Sequence, residues 1–152
     1  RVQAMLRESG IDPALLVLEI TESAAMLNVG LTIEVLSELR DLGLRIAIDD
    51  FGTGHASLSY LKQFPIDELK IDRSFVSDME VSPEGTAIIT AIIGLAHGLG
   101  LGVIAEGVEN ESQLRLLAAR GCDEYQGYLF SNPLAPAAIP GFLEQSRRGA
   151  VT

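Results

Sequence analysis

The sequence predicts an α/β chain, an incomplete (β/α)8 TIM-type barrel of about five β/α units. Short β-rich apolar runs alternate with longer helical patterns from end to end, the signature of β/α units around a parallel sheet. Acidic residues recur at the C-terminal ends of those runs, the edge where parallel α/β folds bind ligands. The third observation is size: a closed barrel takes about 250 residues, and the 152 residues here hold five strand-like runs, about three units short.

In chain order, residues 1–10 have the pattern of a helix tail from a unit whose strand lies ahead of Arg1. The strand-like runs are 15–21, 45–51, 68–72, 102–107 and a weaker 124–130. Between the first two, residues 31–42 place Leu31, Val35, Leu36, Leu39 and Leu42 on one helical face and stop at Gly43 as a C-cap. Helices are predicted over 57–63, 86–96 and 113–119. A last one over 137–146 follows a Pro133 to Pro136 turn, with a frayed end at Arg147-Arg148-Gly149. No linker or low-complexity segment divides the chain, so a single unit is expected.

Composition narrows the function classes. With 47% apolar residues the chain is not a disordered tail. Eleven Lys and Arg stand against 21 Asp and Glu, a formal charge of −10, which opposes binding to nucleic-acid polymers or anionic lipid and requires a cation beside any polyanionic ligand. One cysteine, Cys122, excludes a disulfide framework and a Cys-rich zinc site and fits a reducing, cytoplasmic setting. The uncharged stretch 87–105 approaches the length of a membrane span, but Gly94, Gly98, Gly100 and Gly102 break it into a helix, a turn and a buried strand. Arg1, Arg7 and Glu8 leave no apolar segment before Pro13, so no signal-peptide layout is present. No membrane contact is expected.

The strand-end acids are Glu19 and Glu22 on the first run, Asp49 and Asp50 on the second, Asp72 on the third, and Glu106 and Glu109 after the fourth. Carboxylates beside Ile46, Ile48, Ile71 and Ile104 cost several kcal/mol per ion unless a cation or hydrogen bonds offset the burial. Oxygen-only donors without Cys or a well-placed His favour Mg²⁺ or Mn²⁺ over zinc, and one rim of acids can hold two such ions about 3.5 to 4 Å apart. Two-metal sites commonly cut phosphoesters. Lys70 lies two residues before Asp72 and projects to the same side. It either holds a phosphate or attacking water, or is the salt-bridge partner of Asp49 or Asp50.

Asp49 and Asp50 are consecutive, so in a regular strand they point to opposite faces and serve one site only if the strand ends there. Gly52 and Gly54 favour that ending, and Asp49-Asp50-Phe51-Gly52-Thr53-Gly54 reads as a loop over a strand end. Two weaker readings fail. Asp-Phe-Gly is a kinase tripeptide, but no catalytic-loop motif precedes it. Gly52-Thr53-Gly54-His55-Ala56-Ser57 is a dinucleotide fingerprint broken at Ser57, with two carboxylates that would repel a pyrophosphate. Cys122 and His97 are expected in or beside the core, and His55 carries no chemistry.

Five segments in order resemble the EAL domain family, the cyclic-di-GMP phosphodiesterases. They are Leu18-Glu19-Ile20-Thr21-Glu22-Ser23, then Asp49 to Gly54, Leu69-Lys70-Ile71-Asp72-Arg73-Ser74-Phe75, Ala105-Glu106-Gly107-Val108-Glu109, and Gly121-Cys122-Asp123 with Gln126-Gly127-Tyr128. The resemblance implies that Glu19, Asp49 and, in some arrangements, Asp50 coordinate divalent ions, that Lys70 supports the attacking water, and that Glu106 is the general base. It implies supporting or substrate-binding roles for Glu22, which would steady the loop after Asp50, and for Glu109, Gln126 and Thr53. The implied reaction opens cyclic di-GMP to linear pGpG in bacterial second-messenger signalling. His55-Ala56 stands where the family usually has Tyr-Ser. The family's Glu-Ala-Leu segment and an asparagine ligand would lie ahead of Arg1, so turnover is expected of the complete parent domain and not of these residues alone. The alternative is a non-catalytic module that binds cyclic di-GMP or a protein. Exposed barrel edges predict homo-oligomers.

Overall fold

A computed structural model describes residues 1–54 and 58–149. Its strands are β1 (Val17–Thr21), β2 (Arg45–Phe51), β3 (Glu68–Ile71), β4 (Gly102–Glu106) and β5 (Glu124–Gln126). Its helices are α1 (Val2–Ser9), α2 (Glu22–Met26), α3 (Val29–Asp41), α4 (Leu58–Leu61), α5 (Arg73–Asp78), α6 (Pro83–Gly98), α7 (Glu111–Ala118) and α8 (Ile139–Gly149). The strands pair in chain order, β1-β2-β3-β4-β5, every pair parallel. That order with helices between is the wall of a partial (β/α) barrel, as the sequence predicts.

A parallel sheet covered on both faces needs apolar residues on both sides of its strands. Ile46, Ala47 and Ile48 of β2, Leu69 and Ile71 of β3 and Val103 and Ala105 of β4 are buried, packed with Val76 of α5, Ile89 and Ile93 of α6 and Leu117 of α7. Each fully buried Ile or Leu contributes about 1.5 to 3 kcal/mol. This core holds the C-terminal strand ends at fixed spacing.

Several boundaries differ from the sequence reading for identifiable reasons. The first strand starts at Val17, because Asp12 and Pro13 open a 3-10 turn over Pro13–Leu15 that leaves Leu15 exposed. The third stops at Ile71, because Asp72 becomes the N-cap of α5, accepting the Ser74 N–H. The fifth stops at Gln126, because Gly127 is pressed against the Val108 backbone and leaves the ladder. Neither short helix after β1 and β3 was foreseen; Thr21 caps α2 as Asp72 caps α5. Helix α6 is longer than predicted, with Ser82 as N-cap and Pro83 in its first turn, and α8 continues to Gly149.

In α3, Leu36 is buried and Ile33 and Leu39 pack on the core, but Leu31 and Val35 are exposed. The predicted stripe is therefore rotated toward Val29 and Ile33. Gly43 ends this helix at φ 91, donating its N–H to Arg40. The predicted helix 57–63 begins outside the described residues, as does His55. Residues 87–105 form a helix, a turn and a strand, and no helix among the described residues is long and apolar enough to cross a membrane.

Cys122 is buried, and burial pushes its thiol up to about 11. His97 is exposed rather than packed in the core; its Nε2 lies 2.9 Å from Asp123 Oδ2, which also accepts the Val103 N–H at 2.8 Å. The His97 hydrogen bond, helped by that from Val103, holds the Asp123 carboxyl below its ordinary value. A carboxyl depressed in the folded state adds stability above its unfolded pKa and loses it as pH falls through the folded one. Asp123→Asn is expected to lower Tm at neutral pH, with the gap to wild type closing once pH drops through the depressed value; thermal melts across the acid range measure it.

Candidate metal centre

Asp50 sits at φ 54, the one non-glycine residue with positive φ among those described. The β2–β3 register shifts between Ile48 and Phe51, a bulge at Asp49-Asp50. Asp tolerates this left-handed conformation better than most residues. The bulge, rather than an end to the strand, brings both aspartates to one rim, since β2 continues to Phe51. Carboxylate oxygens of Asp49, Asp50 and Glu106 then lie within 4.8 Å of one another. Partial burial, then the charges of Asp49 and Asp72, hold the Asp50 carboxyl above its ordinary value, with Lys70 opposing.

Lys70 occupies the centre. It is 4% exposed, and its Nζ lies 2.7 Å from Glu19 Oε1, 3.1 Å from Asp49 Oδ1 and 2.6 Å from Glu106 Oε1. The lysine of β3 is thus a salt-bridge partner to acids from β1, β2 and β4. Burial works against its charge, but hydrogen bonds with Glu106, Glu19 and Asp49 override it and raise the Lys70 pKa above its ordinary value. At neutral pH it stays an ammonium and cannot serve as a base.

The donor set fits a divalent cation. One ammonium faces Glu19, Asp49, Asp50 and Glu106, so negative charge remains in excess. Asp49 Oδ1 is buried, with the Lys70 ammonium at 3.1 Å and no other donor among the described residues. Oxygen ligands of this kind suit hard cations. Asp49, Asp50 and Glu106 form the tightest group of carboxylates, and the resemblance adds Glu19 to the ligands and makes Glu106 the general base. Glu19 is exposed and meets the Lys70 ammonium on the same rim.

The supporting residues divide. Glu22 is 2% exposed and accepts the Gly52 N–H at 2.7 Å. A Cβ on Gly54 would run into the Glu22 carboxylate, and one on Gly52, at φ 95, would come within 2.8 Å of the Phe75 ring. The Asp50 loop therefore rests on Glu22 and Phe75. Thr53 is exposed, and its hydroxyl donates to the Asp50 carbonyl at 2.8 Å, closing the turn. Asp72 stands apart at the start of α5, its carboxyl held below the ordinary value chiefly by the Ser74 hydroxyl.

Glu106, Glu109 and Gln126 line a pocket of about 210 Å³ with Arg73, Gly107, Gly127 and Tyr128. Gln126, Gly127 and Tyr128 also border a larger hollow of about 440 Å³ with Phe130 and Phe142. The sequence reading missed Arg73. Its guanidinium pairs with Glu109 at 2.8 Å, and its stem fills the space where a Cβ on Gly107, at φ 71, would stand. The available signal was a cation placed directly after a strand end.

A parallel β/α wall whose strand ends gather carboxylates around one lysine defines a chain of the TIM-barrel class, with its chemistry at the C-terminal rim. The EAL domain model matches residues 1–133, and the chain belongs to the EAL domain family. Cyclic di-GMP phosphodiesterase NbdA of Pseudomonas aeruginosa is 47% identical over 146 residues, 96% of this chain and 19% of NbdA. The structure of the PaMucR phosphodiesterase in complex with c-di-GMP has 40% identity and a TM-score of 0.88, covering 91% of this chain and 56% of that one. The manganese and cyclic di-GMP complex of Klebsiella pneumoniae BlrP1 has 35% identity and a TM-score of 0.80, covering 87% of this chain and 34% of that one. The chain spans about a fifth of the length of the curated relatives it matches.

Removing the ammonium leaves its carboxylates facing one another. In the absence of divalent ions, Lys70→Met is expected to destabilise the protein by about 3 kcal/mol. Mg²⁺ or Mn²⁺ should then restore more stability to the variant than it adds to wild type. Urea unfolding with and without the ions measures both effects.

Proposed function

We propose that this chain serves divalent-metal-dependent hydrolysis of cyclic di-GMP to linear pGpG. The observation that carries the reading is the gathering of Asp49, Asp50 and Glu106 carboxylate oxygens within 4.8 Å of one another, on a rim that Lys70 ties together. The family membership and the named activities of the relatives support it.

Asp49, Asp50 and Glu106 would hold Mg²⁺ or Mn²⁺, with Glu19 within reach across Lys70. Such ions, when bound, lower the pKa of water and neutralise charge on a phosphate, and a pair of them suits a phosphodiester. Lys70 keeps the Asp49 and Glu106 carboxylates in place and reduces their mutual repulsion. Glu106, held at 2.6 Å by that ammonium, is the proton acceptor for the attacking water. Water adds its oxygen to phosphorus, the bond from phosphorus to the 3′ oxygen breaks, and that oxygen takes up a proton to balance the one passed to Glu106, so the product carries a 5′ phosphate and a free 3′ hydroxyl. The Arg73 guanidinium keeps N–H donors beyond those used by Glu109 and offers them to a phosphate, while Gln126 and Tyr128 border the space for a base. Glu22 fixes the loop that carries Asp50.

The buried thiol of Cys122 fits a reducing cytoplasm. Among the described residues β1 pairs only with β2 and β5 only with β4, which supports association of those edges with further strands, including those of a second copy.

In the full-length protein, Glu106→Gln is expected to cut hydrolysis of cyclic di-GMP by about 10²-fold or more while binding persists. Chelation should silence the wild type, with Mg²⁺ or Mn²⁺ restoring it. Product chromatography and calorimetric titration read these outcomes, and undiminished turnover by the variant would overturn the assignment.

A further inference from the structure

We propose that Gln113, oriented by Glu80, is a positioning residue for the acidic rim: the pair fixes the backbone of residues 107–110 and thereby the placement of Glu106 and Glu109. The inference rests on the functional reading above.

Gln113 lies in the first turn of α7 and is 4% exposed. Its backbone N–H donates to Asn110 Oδ1 at 2.9 Å, and its Oε1 accepts the Asn110 N–H at 3.3 Å, the two bonds of a capping box. Two further bonds go beyond that motif. Oε1 accepts the Glu109 N–H at 2.7 Å, shorter than its bond to the cap residue, and Nε2 donates to Glu80 Oε2 at 2.9 Å. The same Glu80 oxygen accepts from Asn110 Nδ2 at 3.0 Å.

A buried amide can be turned either way, and its partners decide which end is the acceptor. Glu80, from the segment between α5 and α6, offers only a carboxylate and so draws the NH₂ group toward itself. Oε1 is left facing the Glu109 and Asn110 N–H groups. Next to these, Val108 is fully buried and donates its N–H to Gln126 at 3.0 Å, so three consecutive N–H groups after Gly107 are tied down. The connection leaving Glu106 has little freedom, and the Glu109 carboxylate is set where it meets Arg73 at 2.8 Å. Misplacement of a reacting group by about 1 Å can cost about 10²-fold in rate.

A donor and acceptor swap tests the role in the full-length protein. Gln113→Glu sets a second carboxylate against Glu80 and is expected to lower kcat for cyclic di-GMP by about 10- to 100-fold, with a smaller change in KM and faster hydrogen exchange at the Glu109 and Asn110 amides. Adding Glu80→Gln restores a donor opposite the new acceptor, and should recover both kcat and amide protection. If Gln113→Glu does not fold, Glu80→Ala at the exposed end of the pair carries the test, with a loss of kcat in the same direction. Wild-type kcat in a variant whose amides exchange freely overturns the proposal, as does a swap that regains protection without kcat. A wild-type protein that leaves cyclic di-GMP uncut overturns the functional reading and this role with it; an active wild type and an equally active variant overturn the positioning role alone.

Discussion

The rim depends on one buried ammonium. Lys70 alone would be costly in the sheet interior, and the acids beside it would repel one another without it. Strand register makes the arrangement possible. Glu19 is level with Ala47 and Glu68 with Gly102, so Lys70 lies two residues above the level of Glu19 and Glu106 two above that of Lys70. Even offsets keep all three on one face of the sheet, since side chains alternate every residue. Long stems on Glu19, Lys70 and Glu106 span the stagger. A slip of one residue in any pair would send an acid to the helix-covered side.

The loop after β2 is braced from two directions. Glu22 of α2 takes its Gly52 N–H, while Phe75 of α5 stands against the same glycine. These short helices exist because Thr21 and Asp72, at the ends of β1 and β3, cap them. Local capping chemistry therefore turns into placement of Asp50, through contacts that are distant in sequence. A Cβ at Gly52 or Gly54 would push against one brace or the other.

Much of this was legible in the sequence. The run 45–51 reads as a strand because Ile46-Ala47-Ile48 is a short apolar stretch rich in β-branched residues, and α3 stops where Gly43 permits a positive φ. The motifs around Glu19, Asp49, Lys70 and Glu106 identified the rim because each ends a strand. What could not be read depends on how elements meet. The bulge at Asp50 is chosen by pairing with β3, and the three partners of Lys70 follow from register. Periodicity in α3 marks a face but not whether a neighbour covers it, hence the exposed Leu31 and Val35. Arg73 lies in a family segment but its pairing with Glu109 does not follow from it, and Gln113 reads as an ordinary capping residue, so only their partners reveal what they hold.

The left-handed backbone at Asp50 narrows the substitutions open to that position over evolutionary time. Asn and Gly accept such a conformation with little strain, whereas β-branched residues pay heavily for it. A lineage that abandons the acid yet retains the bulge would drift most easily through those two residues. Backbone shape and ionic character at position 50 are thus separable: the contour of the rim can outlast its charge.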